Sequence, residues 1–159
     1  MKKFENHESI YMHREVLYYS REHRPMELIT FSGRQGITED REDTMEGLFP
    51  EHSDEDEANK RPFKFEKPTI FLSCRVHPGE TPASFVLDGI WSVIANEKSE
   101  WGRVLRERFV FKVVPMLNPD GVYRGYFRLD TLGQNLNRYY TRPTSDRQPT
   151  IWAAKCAIE

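Results

Sequence analysis

The 159-residue sequence has few cysteines and no excess of one charge, and both absences narrow the choice of function. Cys74 and Cys156 are too few for a disulfide framework, and neither has a second cysteine at metal-clip spacing, which favours a reducing compartment. The 23 basic and 25 acidic side chains nearly balance, so no strong field would draw the chain to nucleic acid or to an anionic membrane. We expect neither as a partner.

Long apolar runs are also missing. No run approaches the roughly 20 residues of a membrane-spanning helix. The charged segment 1–8 has no apolar core of the kind that a signal peptide requires. We therefore expect a soluble protein of the cytoplasm or the nucleus.

Four segments have the composition of β-strands. Residues 15–20 and 26–31 are rich in β-branched and aromatic side chains, and the polar stretch between them predicts a hairpin. The near-continuous apolar runs 69–74 and 109–114 are typical of strands buried on both faces of a central sheet.

Helical patterns separate the two apolar runs. Thr81 can cap a helix with Pro82 at its first position, and apolar residues then follow at helical spacing, so this helix packs on the sheet. Further helices are predicted over 99–108 and 150–158. This order of strands and helices indicates an α/β fold.

From Gly33 to Arg61 the sequence is polar and includes the acidic run 51–57. Few of these residues could be buried, which predicts a mobile surface loop. An acidic interaction segment is the alternative, although charge runs are usually solvated surface.

A histidine and a carboxylate stand three residues apart where the strand 69–74 gives way to the helix. His77 and Glu80 lie outside the carboxyl end of that strand, where open α/β sheets bind their ligands. Pro78 and Gly79 let the backbone bend, so the imidazole and the carboxylate can converge on one zinc ion. Taken alone this pattern is more often a surface His–Glu pair than a metal site. The motifs later in the sequence decide between the two interpretations.

Two further motifs follow. Residues 118–121, with the sequence Asn-Pro-Asp-Gly, form a tight-turn tetrapeptide after a buried strand, and turn geometry alone would explain each of them. Asn137 and Arg138 could hold a carboxylate, because a guanidinium fork fits two oxygens and an amide adds another bond. The alternative for this pair is a capped turn with a solvent-facing arginine.

In this order and spacing the three motifs resemble those of the zinc metallocarboxypeptidases, and segments 71–90, 109–125 and 126–140 narrow the resemblance to the cytosolic carboxypeptidases. The resemblance implies an α/β fold with a central mixed sheet and packed helices, preceded by the end of an N-terminal β-sandwich. Because the family's catalytic domain is longer than this chain, a fragment is expected. Three regions are implied: the end of the β-domain and the start of the catalytic domain (1–32), a polar acidic loop or linker (33–66), and a truncated N-terminal part of the catalytic domain (67–159).

The resemblance also implies an activity, the removal of C-terminal or branched glutamates from acidic protein tails, those of tubulin and other glutamylated proteins. In that activity His77 and Glu80 would bind Zn²⁺. Asn137 and Arg138 would bind the free C-terminal carboxylate of the substrate. Arg128 would polarise the scissile carbonyl and stabilise the oxyanion.

Several alternatives remain open in the sequence. Arg124 competes with Arg128 for its role, and Arg128 could instead be a surface residue paired with Asp130. No histidine follows His77, whereas the family's third zinc ligand and general base lie further downstream, so the fragment alone is expected to be inactive. Cys74, close to the ligands, fits a buried packing residue better than a ligand or a nucleophile.

Two other functions are compatible with part of this pattern. A non-catalytic fragment could keep the carboxylate grip and bind acidic tails without cutting them. A zinc amidoacylase of the aspartoacylase type shares the His-x-x-Glu turn, but the long match over 109–122 argues against it.

Overall fold

The computed structural model describes residues 7–50 and 61–159. The strands, in chain order, are β1 (Ile10–Tyr19), β2 (Pro25–Gly33), β3 (Ile37–Arg41), β4 (Phe63–Phe65), β5 (Thr69–Ser73) and β6 (Val110–Val114). The helices are α1 (Pro82–Ile94), α2 (Glu100–Arg108), α3 (Pro119–Tyr123) and α4 (Pro149–Cys156), with a 3-10 helix at Leu136–Arg138. Within the described ranges, no helix combines the length and the apolar character needed to cross a bilayer.

The central sheet has the strand order β1-β2-β6-β5. β2 pairs antiparallel with β1 and β6, whereas β5 pairs parallel with β6, so the sheet is mixed. The predicted α/β fold with a central mixed sheet is confirmed. Because β5 and β6 run in the same direction, the loops that follow them lie at the same end of the sheet, beyond the carboxyl ends of the two strands.

Two apolar cores lie on opposite faces of this sheet. On one face Leu87 and Ile94 of α1 pack with Phe111 and Val113 of β6. On the other face Ile151 of α4 packs with Leu17 of β1 and Leu28 of β2. β6 is buried along its whole length, as its sequence predicts.

β5 is less buried than its apolar sequence predicts. Its residues are half-buried or exposed, because β5 forms an edge of the sheet over the part of the chain that is described. Ile70 and Leu72 pack under α1, while Phe71 points to the other core.

The predicted hairpin is confirmed as β1 and β2. It is part of the central sheet, since Ile29 and Phe31 of β2 pair with Val113 and Phe111 of β6.

The predicted helices are present. α1 begins at Pro82, but the Thr81 side chain makes no capping hydrogen bond, so that cap prediction is wrong. α2 is capped by Ser99, whose hydroxyl accepts from the backbone N–H of Gly102 at 3.0 Å.

The prediction of a loop from Gly33 to Arg61 is wrong over β3, which pairs antiparallel with β4. The rings of Phe63 and Phe65 pack edge-on against Tyr11, which holds this small sheet on β1. A polar strand of this kind gains its stability from backbone pairing and from its partner's aromatic residues, so its own composition hides it. The acidic run 51–57 lies outside the described residues.

A buried ionic cluster fixes the same region to the sheet. Arg61, only 1 % exposed, pairs through Nη1 with the carboxylate of Glu15 on β1. Lys112 in the middle of β6 donates to Thr30 Oγ1 at 2.9 Å and to Glu42 Oε2 at 2.6 Å. Burial raises the pKa of Glu15 and lowers the pKa of Lys112, which reflects the cost of placing each charge inside the protein.

Candidate active site

The site lies at the carboxyl ends of β5 and β6. The loop after β5 runs beside the loop after β6, because Cys74 N–H donates to the Val114 carbonyl (3.0 Å) and Leu117 N–H donates to the Cys74 carbonyl (2.8 Å). This backbone pairing brings His77 and the Asn118 turn together, although the two motifs are about forty positions apart in the sequence.

His77 and Glu80 converge. Nδ1 of His77 lies 2.8 Å from Oε1 of Glu80. The imidazole is buried, whereas the Glu80 side chain is 55 % exposed, so the open side of the pair is the carboxylate side.

The second nitrogen of His77 contacts Asn135, a partner that no local sequence pattern predicts. Nε2 lies 2.8 Å from Asn135 Oδ1, and the same oxygen accepts from the backbone N–H of Asn137 at 3.2 Å. Because Oδ1 is thereby an acceptor, Nε2 carries the hydrogen and donates it. The lone pair of Nδ1 then faces the Glu80 carboxylate.

The donor atoms of these two side chains are of the kind that zinc binds. They lie 2.8 Å apart, a hydrogen-bond distance at which a proton joins them, whereas two zinc bonds of about 2.1 Å at a tetrahedral angle need roughly 3.4 Å between the ligand atoms. A small rotation of the exposed Glu80 side chain provides that separation. A neutral imidazole whose other nitrogen donates to an oxygen is the usual form of a metal-bound histidine. In residues 7–50 and 61–159 no group of three or more His, Cys, Asp or Glu side chains could hold a metal, so within these residues the pair could supply at most two of the three protein ligands that a catalytic zinc site needs.

Gly79 joins this turn to the loop that carries Arg128. Its N–H donates to the Phe127 carbonyl at 2.8 Å, and a Cβ at this position would lie 2.6 Å from that oxygen. Any side chain here would therefore push the two loops apart.

Of the two candidate arginines, Arg128 is the one that lies beside Glu80. Its Nη1 lies 3.6 Å from Glu80 Oε1, whereas Arg124 pairs with Glu22 at 2.5 Å on the side of the β1–β2 hairpin. Asp130, the other proposed partner of Arg128, instead accepts backbone hydrogen bonds from residues 132 and 134.

The Asn-Pro-Asp-Gly turn has structural contacts at both polar residues. Asn118 Oδ1 accepts from Gly121 N–H at 2.9 Å and caps α3. The buried Asp120 carboxylate accepts from Ser20 Oγ at 2.6 Å and from Arg24 Nη1 at 2.7 Å. The turn is thus tied to the β1–β2 connection, which supports the mainly structural role expected of it.

Asn137 and Arg138 belong to the 3-10 helix that Asn135 caps. Leu136 is buried and anchors this helix, while both predicted carboxylate-binding side chains are exposed. Arg138 Nη1 donates to the Asn137 carbonyl at 3.2 Å. Their role remains a prediction, and the structure places them one turn from the residue that holds His77.

Cys74 packs against the core under α1, and its Sγ donates to the Ala83 carbonyl at 3.1 Å. Burial raises the pKa of this thiol, which disfavours the thiolate that a nucleophile or a metal ligand needs.

The model of the zinc carboxypeptidase family, Peptidase M14, matches residues 1–152, and the chain belongs to this family. Within it the sequence is similar to cytosolic carboxypeptidase-like protein 5. It is 47% identical to that protein of Bos taurus and 46% identical to that of Homo sapiens, over 152 residues in each case. These matches cover 95% of this chain but 17% of each relative, so the chain spans about a sixth of their length.

Solved structures agree with the fold. A metallo-carboxypeptidase from Burkholderia cenocepacia matches with a TM-score of 0.66 and 27% identity, over 92% of this chain and 32% of that one. A carboxypeptidase A homologue from Shewanella denitrificans matches with a TM-score of 0.69 and 24% identity, over 96% and 32%. An aspartoacylase family protein from Mesorhizobium loti matches less well, with a TM-score of 0.51 and 16% identity, over 96% and 36%.

Proposed function

We propose that this chain supplies two zinc ligands and the carboxylate-binding residues of a metallocarboxypeptidase, and that the complete protein removes C-terminal or branched glutamates from acidic protein tails such as those of tubulin. The observation that carries the proposal is the convergence of His77 Nδ1 and Glu80 Oε1 at 2.8 Å, with the imidazole oriented by Asn135. Membership of the zinc carboxypeptidase family supports the hydrolase class.

His77 and Glu80 would hold the zinc, and the third ligand would come from outside the described residues. When bound, zinc supplies a Lewis acid for the scissile carbonyl and lowers the pKa of a bound water. The chain's own contribution is to orient the imidazole through Asn135 and to hold the carboxylate toward it.

In this proposal Arg128 would act on the reacting carbonyl. Its guanidinium already lies beside Glu80, so a substrate carbonyl next to the ligands would be within its reach. A fixed positive charge there stabilises the oxygen that becomes negative in the transition state.

Asn137 and Arg138 would select a chain end. A planar guanidinium binds both oxygens of a terminal carboxylate, and the amide adds a further hydrogen bond. Exposed cationic side chains at the site suit an acidic tail better than a neutral one. The relatives are named cytosolic carboxypeptidase-like proteins, which supports a cytoplasmic location for this protein.

The test uses the complete protein that contains this chain and a peptide that ends in several glutamates, prepared as free acid and as C-terminal amide. We expect zinc-dependent release of glutamate from the free acid, measured by mass spectrometry, and none from the amide. Equal cleavage of both forms would rule out carboxylate recognition. Full activity after removal of all metal would rule out the zinc mechanism.

A second candidate applies to the 159-residue chain taken by itself. With two metal ligands among its described residues, it could bind acidic tails without cutting them. Binding of a glutamate-rich peptide without hydrolysis would support this function. The amidoacylase alternative predicts hydrolysis of small acylated amino acids, and the lower structural similarity to an aspartoacylase family protein makes it the weaker proposal.

A further inference from the structure

Arg75 connects the two loops of the site through its backbone. Its carbonyl accepts from the N–H of Asn118 at 3.1 Å. Its φ is +56°, in the left-handed region that residues other than glycine rarely adopt. Such a conformation persists only where the surrounding structure determines it, and it concentrates at functional sites.

The guanidinium of Arg75 spans the turn that carries the metal ligands. Nη2 donates to the Pro78 carbonyl at 2.6 Å, and Nη1 donates to Ser84 Oγ in the first turn of α1 at 2.9 Å. One rigid planar group therefore links the middle of the ligand turn to the helix that follows it. Both acceptors are neutral oxygens, so these bonds complete no ion pair.

The peptide between Pro78 and Gly79 is held at both ends. Its carbonyl oxygen accepts from Arg75, and its N–H donates to the Phe127 carbonyl at 2.8 Å. This peptide lies between the two ligands in the chain. Because the Glu80 side chain is 55 % exposed, its direction toward His77 depends on this backbone rather than on packing around the carboxylate.

We propose that Arg75 is a positioning residue of the metal site, which fixes the Pro78–Gly79 peptide so that His77 and Glu80 meet on one ion. The inference rests on the proposed function, since it takes these two residues to be metal ligands. Arg75 acts through the Pro78 carbonyl and the Ser84 hydroxyl, by hydrogen bonds to those two groups.

A glycine substitution at position 75 distinguishes the effect of the side chain from the effect of the backbone conformation. Glycine adopts a positive φ without steric cost, so Arg75→Gly keeps the backbone conformation while it removes the whole side chain, including the guanidinium. Ser84→Ala removes one of its two bonds, and Arg75→Lys offers a point charge that cannot hold both oxygens. Arg103→Ala, an exposed arginine of α2 that pairs with glutamates on the same helix, is the matched control.

The experiment measures three quantities on the complete protein: the thermal midpoint of the metal-free form, the zinc dissociation constant by chelator competition, and the visible spectrum of the cobalt(II) form. We expect Arg75→Gly to weaken zinc binding by about 10- to 100-fold, the usual effect of losing a group that orients a ligand. The thermal midpoint should stay close to that of the unmodified protein, and the cobalt spectrum should change. Arg75→Lys and Ser84→Ala should weaken binding less, and Arg103→Ala should leave it unchanged.

The proposal is overturned if Arg75→Gly binds zinc as tightly as the unmodified protein with the same cobalt spectrum. It is also overturned if zinc affinity in Arg75→Gly, Arg75→Lys and Ser84→Ala follows only the loss of thermal stability. If Arg75→Gly does not fold, the other two variants decide by the same criterion. Failure of the proposed function has a different signature, because zinc affinity would then be insensitive to His77→Ala and Glu80→Ala as well.

Discussion

Nε2 of His77 lies 2.8 Å from Oδ1 of Asn135, 58 residues later in the chain. This hydrogen bond leaves the Nδ1 lone pair of His77 facing Glu80. Asn135 thus determines which tautomer the His77 imidazole adopts, as hydrogen-bond partners commonly do around metal-bound histidines.

Removing the acceptor should weaken metal binding. We expect Asn135→Ala in the complete protein to raise the zinc dissociation constant by about 10- to 100-fold, whereas Asn135→Asp, which keeps an oxygen acceptor, should bind nearly as well as the original. Asn137→Ala is the control, because it keeps the backbone N–H that orients Asn135. Chelator competition measures the constants, and equal affinity in Asn135→Ala and Asn137→Ala would contradict the assignment.

The ligand pair itself should be required for metal retention. His77→Ala and Glu80→Ala each remove one of few protein ligands, so we expect both variants of the complete protein to lose their zinc and their activity. Mass spectrometry of the purified protein gives the metal content. Asp88→Ala, an exposed carboxylate of α1, is the control. Unchanged zinc in both ligand variants would show that the metal is bound elsewhere.

The 159-residue chain should behave differently from the complete protein. Two ligands give less affinity and less geometric control than three, so we expect weak zinc binding and no detectable hydrolysis. Isothermal titration with zinc and release of glutamate from a polyglutamylated peptide are the measurements. Turnover at a rate close to that of a full-length relative would show that the site is complete without further ligands.

The parts of the fold and site that the sequence predicted are those that depend on neighbours in the chain. The apolar runs predicted both β5 and β6 as strands, but the burial on both faces that such a run predicts holds for β6 and not for β5. The three-residue spacing of His77 and Glu80 at a strand-to-helix turn is a local pattern, but on its own it is more often a surface pair, and the two later motifs decided its interpretation.

The remaining contacts depend on tertiary structure. Asn135 meets His77 across 58 residues, and Asp120 meets Ser20 across 100. No local pattern predicts such pairs, since they follow from which strands lie side by side. The polar strand β3 was missed for a related reason, because its partner β4 carries the aromatic residues.

The buried pair of Arg61 and Glu15 gives a prediction for stability. Arg61→Ala removes the side chain that pairs with the buried Glu15 carboxylate, and breaking a buried pair typically costs about 3–5 kcal/mol of unfolding free energy. Lys64→Ala removes an exposed pair with Asp43 and should cost at most about 1 kcal/mol. Urea unfolding of the 159-residue chain measures both. Similar small losses in the two variants would mean that water reaches Glu15.

The last prediction separates the roles of the two arginines. Arg138→Lys in the complete protein should raise KM and lower kcat/KM while zinc stays bound, because a lysine cannot hold both oxygens of the terminal carboxylate. Arg128→Ala should act mainly on kcat, since the charge that it faces develops only in the transition state. Steady-state kinetics on a glutamate-terminated peptide, with zinc content measured in parallel, distinguishes the two. The roles assigned to Arg128 and Arg138 are wrong if both variants change KM and kcat in the same proportion, or if the peptide amide is cleaved as well as the free acid.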